Sequence, residues 1–302
     1  MKKMEISLAA VPYFWPKEAY QSFYQQLAQT DVDIVYLGET VCSKRRSMQF
    51  QDWLEIAQIL EQAGKQVVLS TLTLIEAESE LKYLSNIARQ KHYLIEANDM
   101  AAVQVANDNS NLFVAGSAIN IYNNHALTLL SKLGMSRWCT PVELGQQDLK
   151  PMISHAQSLG IKVEYQVFGR MPLAYSARCF TARHHRLAKD DCQFKCLAYE
   201  QGLLVKTQEG DSFAQINGIQ TQSAKVSNLL NRWQELQELG IDILRIVPLS
   251  ASDTIIAINQ LAALVQASDI TFKAFNGDYE FCNGYWLQVE GMKYVAENEV
   301  VN

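Results

Sequence analysis

Residues 242–248 read Asp242-Ile243-Leu244-Arg245-Ile246-Val247-Pro248, a short, mainly apolar run typical of a buried strand. Seven similar runs precede it, and we predict them as strands at residues 6–11, 33–39, 66–71, 93–96, 112–116, 136–140 and 162–168. Amphipathic segments between these seven runs predict helices near residues 17–29, 51–63, 75–90, 98–108, 124–133 and 146–159. Strands that alternate with helices form a parallel sheet. Eight of them predict a closed (β/α)8 barrel of the TIM-barrel class, and an open doubly wound sheet is the alternative if one strand is miscounted.

The composition is that of an ordinary globular α/β protein. Of the 302 residues, 48% are hydrophobic and 19% are charged, and we expect one barrel domain spanning residues 1–302. The net charge of −6, with both signs mixed along the chain, disfavours nucleic acid as the main partner. Glu5 and Ser7 interrupt the apolar N-terminus, which we interpret as a first strand and not as a signal peptide. Because no run of about 18 apolar residues occurs, we predict no transmembrane segment and a cytoplasmic location.

The regular alternation is interrupted at residues 169–241, which we call the insertion. Within it, residues 202–207 and 213–219 have the pattern of two strands and predict a hairpin, and a helix is predicted near residues 222–239. The insertion lies between the predicted seventh and eighth strands. We therefore expect it to cover the C-terminal face of the barrel, where the active sites of such barrels are found.

Three of the six cysteines lie in this insertion: Cys179, Cys192 and Cys196. Clustered cysteines in a basic, polar segment favour a metal or iron–sulfur site over ordinary packing. Such sites use four ligands, and Cys42 is the best fourth candidate because it follows the second strand at the same barrel face. Cys139 falls inside a predicted strand and fits buried packing, and nothing near Cys282 favours it as a ligand.

A zinc site is an alternative to the iron–sulfur cluster, because His184 or His185 with three cysteines would provide its four ligands.

Other charged residues each allow two interpretations. The run Lys44-Arg45-Arg46 is typical of a solvated patch, although beside Cys42 it is also suited to an anionic substrate. Acidic residues near strand ends fit either acid–base chemistry or the polar mouth of a barrel: Glu39, Glu96, Asp99, Glu143 and Glu164. The absence of the motifs of zinc proteases, P-loop NTPases and serine hydrolases removes support for those classes.

The segment Pro172-Leu173-Ala174-Tyr175-Ser176-Ala177-Arg178-Cys179-Phe180-Thr181-Ala182-Arg183 resembles the collagenase-like peptidase U32 family, and particularly its ubiquinone-biosynthesis members. Further stretches that resemble them are residues 36–39, 41–46, 137–139, 141–144, 217–221 and 282–286. The resemblance covers nearly the whole chain in order. It implies a barrel fold and a 4Fe-4S cluster held by Cys42, Cys179, Cys192 and Cys196.

One departure from the wider family bears on the ligands. Many relatives carry a His and a Cys where this chain has Phe168 and Pro172, so the resemblance implies that another thiolate, matching Cys42, replaces the missing one. The same departure weakens the expectation of peptidase activity.

The resemblance also implies a function and partners. These are oxygen-independent hydroxylation of a ubiquinone precursor under anaerobic conditions, a related UbiU-like subunit in a heterodimer, and a UbiT-like lipid-binding accessory protein. Two alternatives stand beside this hypothesis: a collagenase-like peptidase, and a non-catalytic scaffold in which the cluster only holds the insertion in place.

Overall fold

A computed structural model describes residues 4–267 and 273–296 and shows a closed barrel of parallel strands. The barrel strands are β1 (Glu5–Leu8), β2 (Ile34–Leu37), β3 (Gln66–Ser70), β4 (Leu94–Ala97), β5 (Phe113–Ala115), β6 (Met135–Cys139), β7 (Lys162–Tyr175) and β11 (Ile243–Ile246). Each pairs in parallel with the next, and β11 pairs with both β7 and β1, which closes the ring. The prediction of a (β/α)8 barrel is confirmed.

Helices on the outside of the barrel connect these strands. They are α1 (Lys17–Leu27), α2 (Phe50–Gln62), α3 (Glu78–Ala88), α4 (Met100–Asp108), α5 (Asn124–Lys132), α6 (Gln146–Ser158) and, after β11, α9 (Ala251–Gln266). Their buried faces pack on the outward-facing residues of the strands in one large apolar core. The six helices predicted between the first seven strands all form, within a few residues of the expected bounds.

The chain between β7 and β11 adds a small antiparallel sheet to the barrel. It contains α7 (Phe180–His184), β8 (Leu203–Lys206), β9 (Ser212–Asn217), β10 (Gln220–Asn228) and α8 (Trp233–Leu239). Strands β8 and β9 form the predicted hairpin. Strand β10 pairs with β9 on one side and with the end of β7 on the other, and also with the short strand β12 (Phe281–Cys282).

Two predictions about this region were wrong. The expected helix near residues 222–239 is a strand up to Asn228, and only Trp233–Leu239 is α-helical. Strand β7 does not end at Phe168 but continues to Tyr175. Both errors have one cause, because the two segments pair with each other in the tertiary structure and satisfy their backbone groups there.

Candidate functional site

The loop after β2 carries Cys42 and is shaped by the half-buried Glu39. Gly38 has φ +136°, and a Cβ atom there would lie 2.7 Å from the Ser70 carbonyl oxygen, so the chain leaves the strand in a conformation that favours glycine. Glu39 Oε1 then accepts hydrogen bonds from the backbone N–H groups of Val41 at 2.8 Å and Cys42 at 3.0 Å. These bonds hold Cys42 at the C-terminal face of the barrel.

In the insertion, Cys179 stands at the N-terminus of the short helix α7. Its sulfur accepts a hydrogen bond from the Ala182 N–H at 3.4 Å. The helix is fixed to the turn between β9 and β10, because Phe180 N–H donates to the Gly218 carbonyl and Gly218 N–H donates to Thr181 Oγ1. Cys179 is therefore positioned by the antiparallel sheet.

The segment from Cys192 to Cys196 folds back on itself. Gln193 and Phe194 have φ of +49° and +51°, in the left-handed region that residues with a side chain seldom occupy. The Phe194 ring lies 6.0 Å from the Phe14 ring, centroid to centroid. This turn brings the two cysteines to the same side of the segment.

All four predicted cysteines line a single pocket. Cys42 enters from the loop after β2, and Cys179, Cys192 and Cys196 enter from the insertion. Burial raises the pKa of the Cys42 and Cys196 thiols, and Arg45 opposes the rise in both cases. The structure thus brings together four thiols from two distant parts of the chain beside a guanidinium group.

The donor set at this pocket can be compared with what a zinc ion and a four-iron cluster each need. Within the described residues, no three His, Cys, Asp or Glu side chains are grouped so as to hold one metal ion. A zinc ion draws its ligands to about 2.0–2.3 Å, whereas a four-iron cluster is a larger body with a cysteine sulfur on each iron. Four thiols around one pocket, without carboxylates and with cations beside them, are the donor set that such a cluster requires.

The remaining cysteines and the histidines lie elsewhere. Cys139 is buried in β6, with its sulfur 3.6 Å from Arg245 Nη1, and Cys282 is buried against Val142 and Met171. The cysteine pocket is lined by neither His184 nor His185, and the latter ring is hydrogen-bonded to the hydroxyl of Tyr199 at 2.9 Å.

Two lysine side chains connect the loops after β2 and β3 to the insertion. Lys44 Nζ donates to Asp190 Oδ1 at 2.7 Å and to the Lys189 carbonyl at 2.9 Å, and Lys189 Nζ pairs with Glu76. Asp190 is exposed, so each bridge on its own adds little stability. Together they align the insertion with the loop that carries Cys42.

The prediction that residues 44–46 form a solvated patch is wrong for Arg45. Arg46 is exposed, but Arg45 is only 5% exposed, and its Nη1 donates to the Pro12 carbonyl at 2.7 Å. Nothing in the local sequence distinguishes the two arginines. The burial of Arg45 follows from the long-range packing of the turn between β9 and β10 onto the loop after β2.

A second, polar cavity of about 60 Å³ lies inside the barrel mouth. Arg245 bridges two glutamates there, with Nη2 2.6 Å from Glu96 Oε1 and Nη1 2.9 Å from Glu164 Oε1. Burial alone would raise the pKa of Glu164, but Arg245 and Arg137 hold it below the usual range. Both glutamates were candidates for acid–base chemistry, and both are engaged in ion pairs or hydrogen bonds.

The side chains that pair with these glutamates were not predicted from the sequence. Tyr36 Oη donates to Glu164 Oε2 at 2.5 Å and accepts from Arg137 Nη1 at 2.8 Å. The sequence did contain a sign of this network, since Arg137 and Arg245 lie inside the otherwise apolar strands β6 and β11. A charged residue in a buried strand indicates that the barrel interior is polar.

The other acidic candidates have local structural roles. Asp99 caps α4 by accepting a hydrogen bond from the Ala101 N–H at 2.7 Å, and Glu143 accepts one from the Tyr122 hydroxyl. No helix in residues 4–267 or 273–296 has the length and apolar character needed to cross a bilayer.

The sequence of this chain matches the model of one known protein family. The family model "Peptidase family U32" matches residues 20–270. The chain belongs to peptidase family U32. It is also similar to the solved structure of the U32 peptidase Mk0906, at 10% identity and a TM-score of 0.45, with 82% of this chain and 94% of that chain covered.

Two similar structures come from outside the U32 family. The spore cortex-lytic enzyme SleL of Bacillus cereus is 12% identical, with a TM-score of 0.43, and 89% of this chain and 76% of that one are covered. The tryptophan synthase complex of Pyrococcus furiosus matches at 11% identity and a TM-score of 0.45, over 88% of this chain and 98% of that one.

Proposed function

We propose that this chain is a cytoplasmic iron–sulfur protein with a 4Fe-4S cluster on Cys42, Cys179, Cys192 and Cys196. The observation that carries the proposal is that these four thiols line one pocket, although they come from the loop after β2 and from the insertion. The residues beside them suit a cluster of negative charge. Arg45 is buried at the pocket, and Lys44 and Lys195 also line it.

We further propose that the protein serves oxygen-independent hydroxylation of the aromatic ring during anaerobic ubiquinone biosynthesis. The sequence resembles the UbiV members of the U32 family, and a UbiU-like subunit and a UbiT-like lipid-binding protein are its proposed partners. When bound, a 4Fe-4S cluster supplies one-electron transfer. The residues of this chain hold the thiolates in place and surround them with positive charge.

A peptidase is the second candidate only because the family carries that name. Peptide hydrolysis needs an activated nucleophile or a metal-bound water. In the barrel cavity, Glu164 is hydrogen-bonded by Ser7 and Tyr36 as well as by Arg245, so its oxygens are already occupied. No observation on these residues favours proteolysis over the cluster.

The first test is purification without oxygen, followed by a visible absorption spectrum and measurement of iron, zinc and acid-labile sulfide. We expect a brown protein with four irons per chain. A colourless protein that contains zinc would overturn the proposal, and cleavage of gelatin by the isolated chain would favour the peptidase.

A further inference from the structure

Arg45 is a buried cation with one side-chain nitrogen, Nε, that has no hydrogen-bond partner within the described residues. Its side chain is 1% exposed, Nη1 donates to the Pro12 carbonyl, and Nη2 donates to Asn217 Oδ1, both at 2.7 Å. The Nε atom is also shielded from water. An unpaired buried N–H is costly, so it needs a functional or structural explanation.

The position of Arg45 supplies that explanation. Arg45 lines the cysteine pocket together with Cys196. Glu39 is its carboxylate partner, at 3.8 Å from Nη1, a separation too long for a hydrogen bond. The positive charge of Arg45 is therefore incompletely neutralised by its carboxylate partner.

The surrounding hydrogen bonds fix the direction of the guanidinium. Asn217 Nδ2 donates to the Pro12 carbonyl at 2.7 Å and to Gln220 Oε1 at 3.0 Å, so the amide must present its oxygen to Arg45. Gln220 Nε2 in turn donates to Tyr175 Oη at 3.0 Å. This chain of polar groups runs from Arg45 at the cysteine pocket to Gln220 and Tyr175, which line the barrel cavity, and it holds the guanidinium in place.

We propose that Arg45 sets the reduction potential of the cluster by placing its charge at the pocket lined by the four thiols, where its unpartnered Nε–H group is available to a cluster sulfur. The inference rests on the proposed function. Reduction adds one negative charge to the cluster, and a nearby cation stabilises that state more strongly in a buried site than at a solvated surface. Hydrogen bonds to cluster sulfurs act in the same direction.

The test is a redox titration of the anaerobically purified protein, followed by electron paramagnetic resonance, with three variants. Arg45→Gln removes the charge, Arg45→Lys keeps it without the Nε–H group, and Arg46→Gln removes the neighbouring exposed charge as the matched control. In Arg45→Gln we expect the ratio of reduced to oxidised cluster at a fixed solution potential to fall at least tenfold, a shift of about 59 mV for one electron. Arg45→Lys should lie between this variant and the unmodified protein, and Arg46→Gln should change the ratio less than twofold.

The outcomes separate the two proposals. If all the proteins hold the cluster and Arg45→Gln has an unchanged potential, the role of Arg45 is refuted and the cluster proposal stands. If the unmodified protein binds no iron, the proposed function fails and this inference fails with it. If Arg45→Gln alone loses its iron, the test is the reduction potential of Arg45→Lys. An unchanged potential in that variant refutes the role of the Nε–H group, and a lowered potential supports it.

Discussion

Cys42 and Cys179 line one pocket, although 137 positions in the sequence separate them. The position of Cys42 depends on the hydrogen bond from its N–H group to Glu39. The position of Cys179 depends on the hydrogen bonds that attach α7 to the turn at Gly218. The thiols therefore come together only when both the barrel and the antiparallel sheet have formed.

The first prediction concerns the ligands. Replacement of Cys42, Cys179, Cys192 or Cys196 by Ala should remove most of the bound iron, because a cubane cluster needs one thiolate for each iron. The measurement is iron and sulfide per chain after anaerobic purification. Cys282→Ala is the control, since Cys282 is equally a free cysteine but is buried outside the pocket. Iron that survives the loss of Cys42 and falls with Cys282 would show that the fourth ligand is misassigned.

The second prediction concerns oxygen. Cys42, Cys179, Cys192 and Cys196 are only partly buried, so oxygen can approach the thiols of the pocket. Exposure to air should therefore bleach the visible absorption of the cluster, which is followed as a loss of absorbance over time. The helical circular dichroism should remain, because the seven longer helices outside the barrel pack on the barrel strands. A parallel loss of both signals would instead show that the cluster holds the fold together.

The third prediction concerns the charges inside the barrel. Glu164→Gln should lower the free energy of unfolding by about 3–5 kcal/mol at pH 7, because it leaves Arg245 and Arg137 without one of their carboxylate partners. Urea unfolding measures this change. Glu61→Gln is the control, since Glu61 pairs at the surface with His92, and it should have a much smaller effect.

The same glutamate predicts a dependence on pH. The folded protein holds the pKa of Glu164 below its usual value, so this carboxylate stabilises the fold above its pKa in the unfolded chain. That contribution is lost as the pH falls through the lower pKa of the folded state. The acid side of a plot of stability against pH should therefore be shallower in Glu164→Gln than in the unmodified protein. Parallel curves would contradict the assignment.

The fifth prediction concerns the biological role. A strain without this protein should lose ubiquinone only when it grows without oxygen, and it should accumulate a precursor that lacks a ring hydroxyl. Purified alone, the chain should hold its cluster but show no hydroxylation until the UbiU-like subunit is added. Chromatography of quinones from paired aerobic and anaerobic cultures is the measurement. Normal ubiquinone in the anaerobic deletion strain would refute the proposed pathway.

The alternation of strands and helices made the barrel predictable, because each element has a strong local pattern. The position of the four cysteines at one pocket was predictable for a related reason, since the loops that follow parallel strands all lie at one face of the barrel. Strand β10 was not predictable, because its partners β7 and β9 determine its conformation. Arg45 was missed for the same kind of reason, as only the distant Asn217 and Pro12 account for its burial.

The length of β7 has a further consequence. This 14-residue strand belongs to the barrel at its start and to the antiparallel sheet at its end. The insertion is thus not a self-contained module that can be transplanted. A peptide of residues 169–241 would lack Cys42 and Arg45, and β7 would lose its parallel neighbours. An engineer who wants this thiol arrangement in another protein must graft it onto a complete barrel with the same two neighbouring loops.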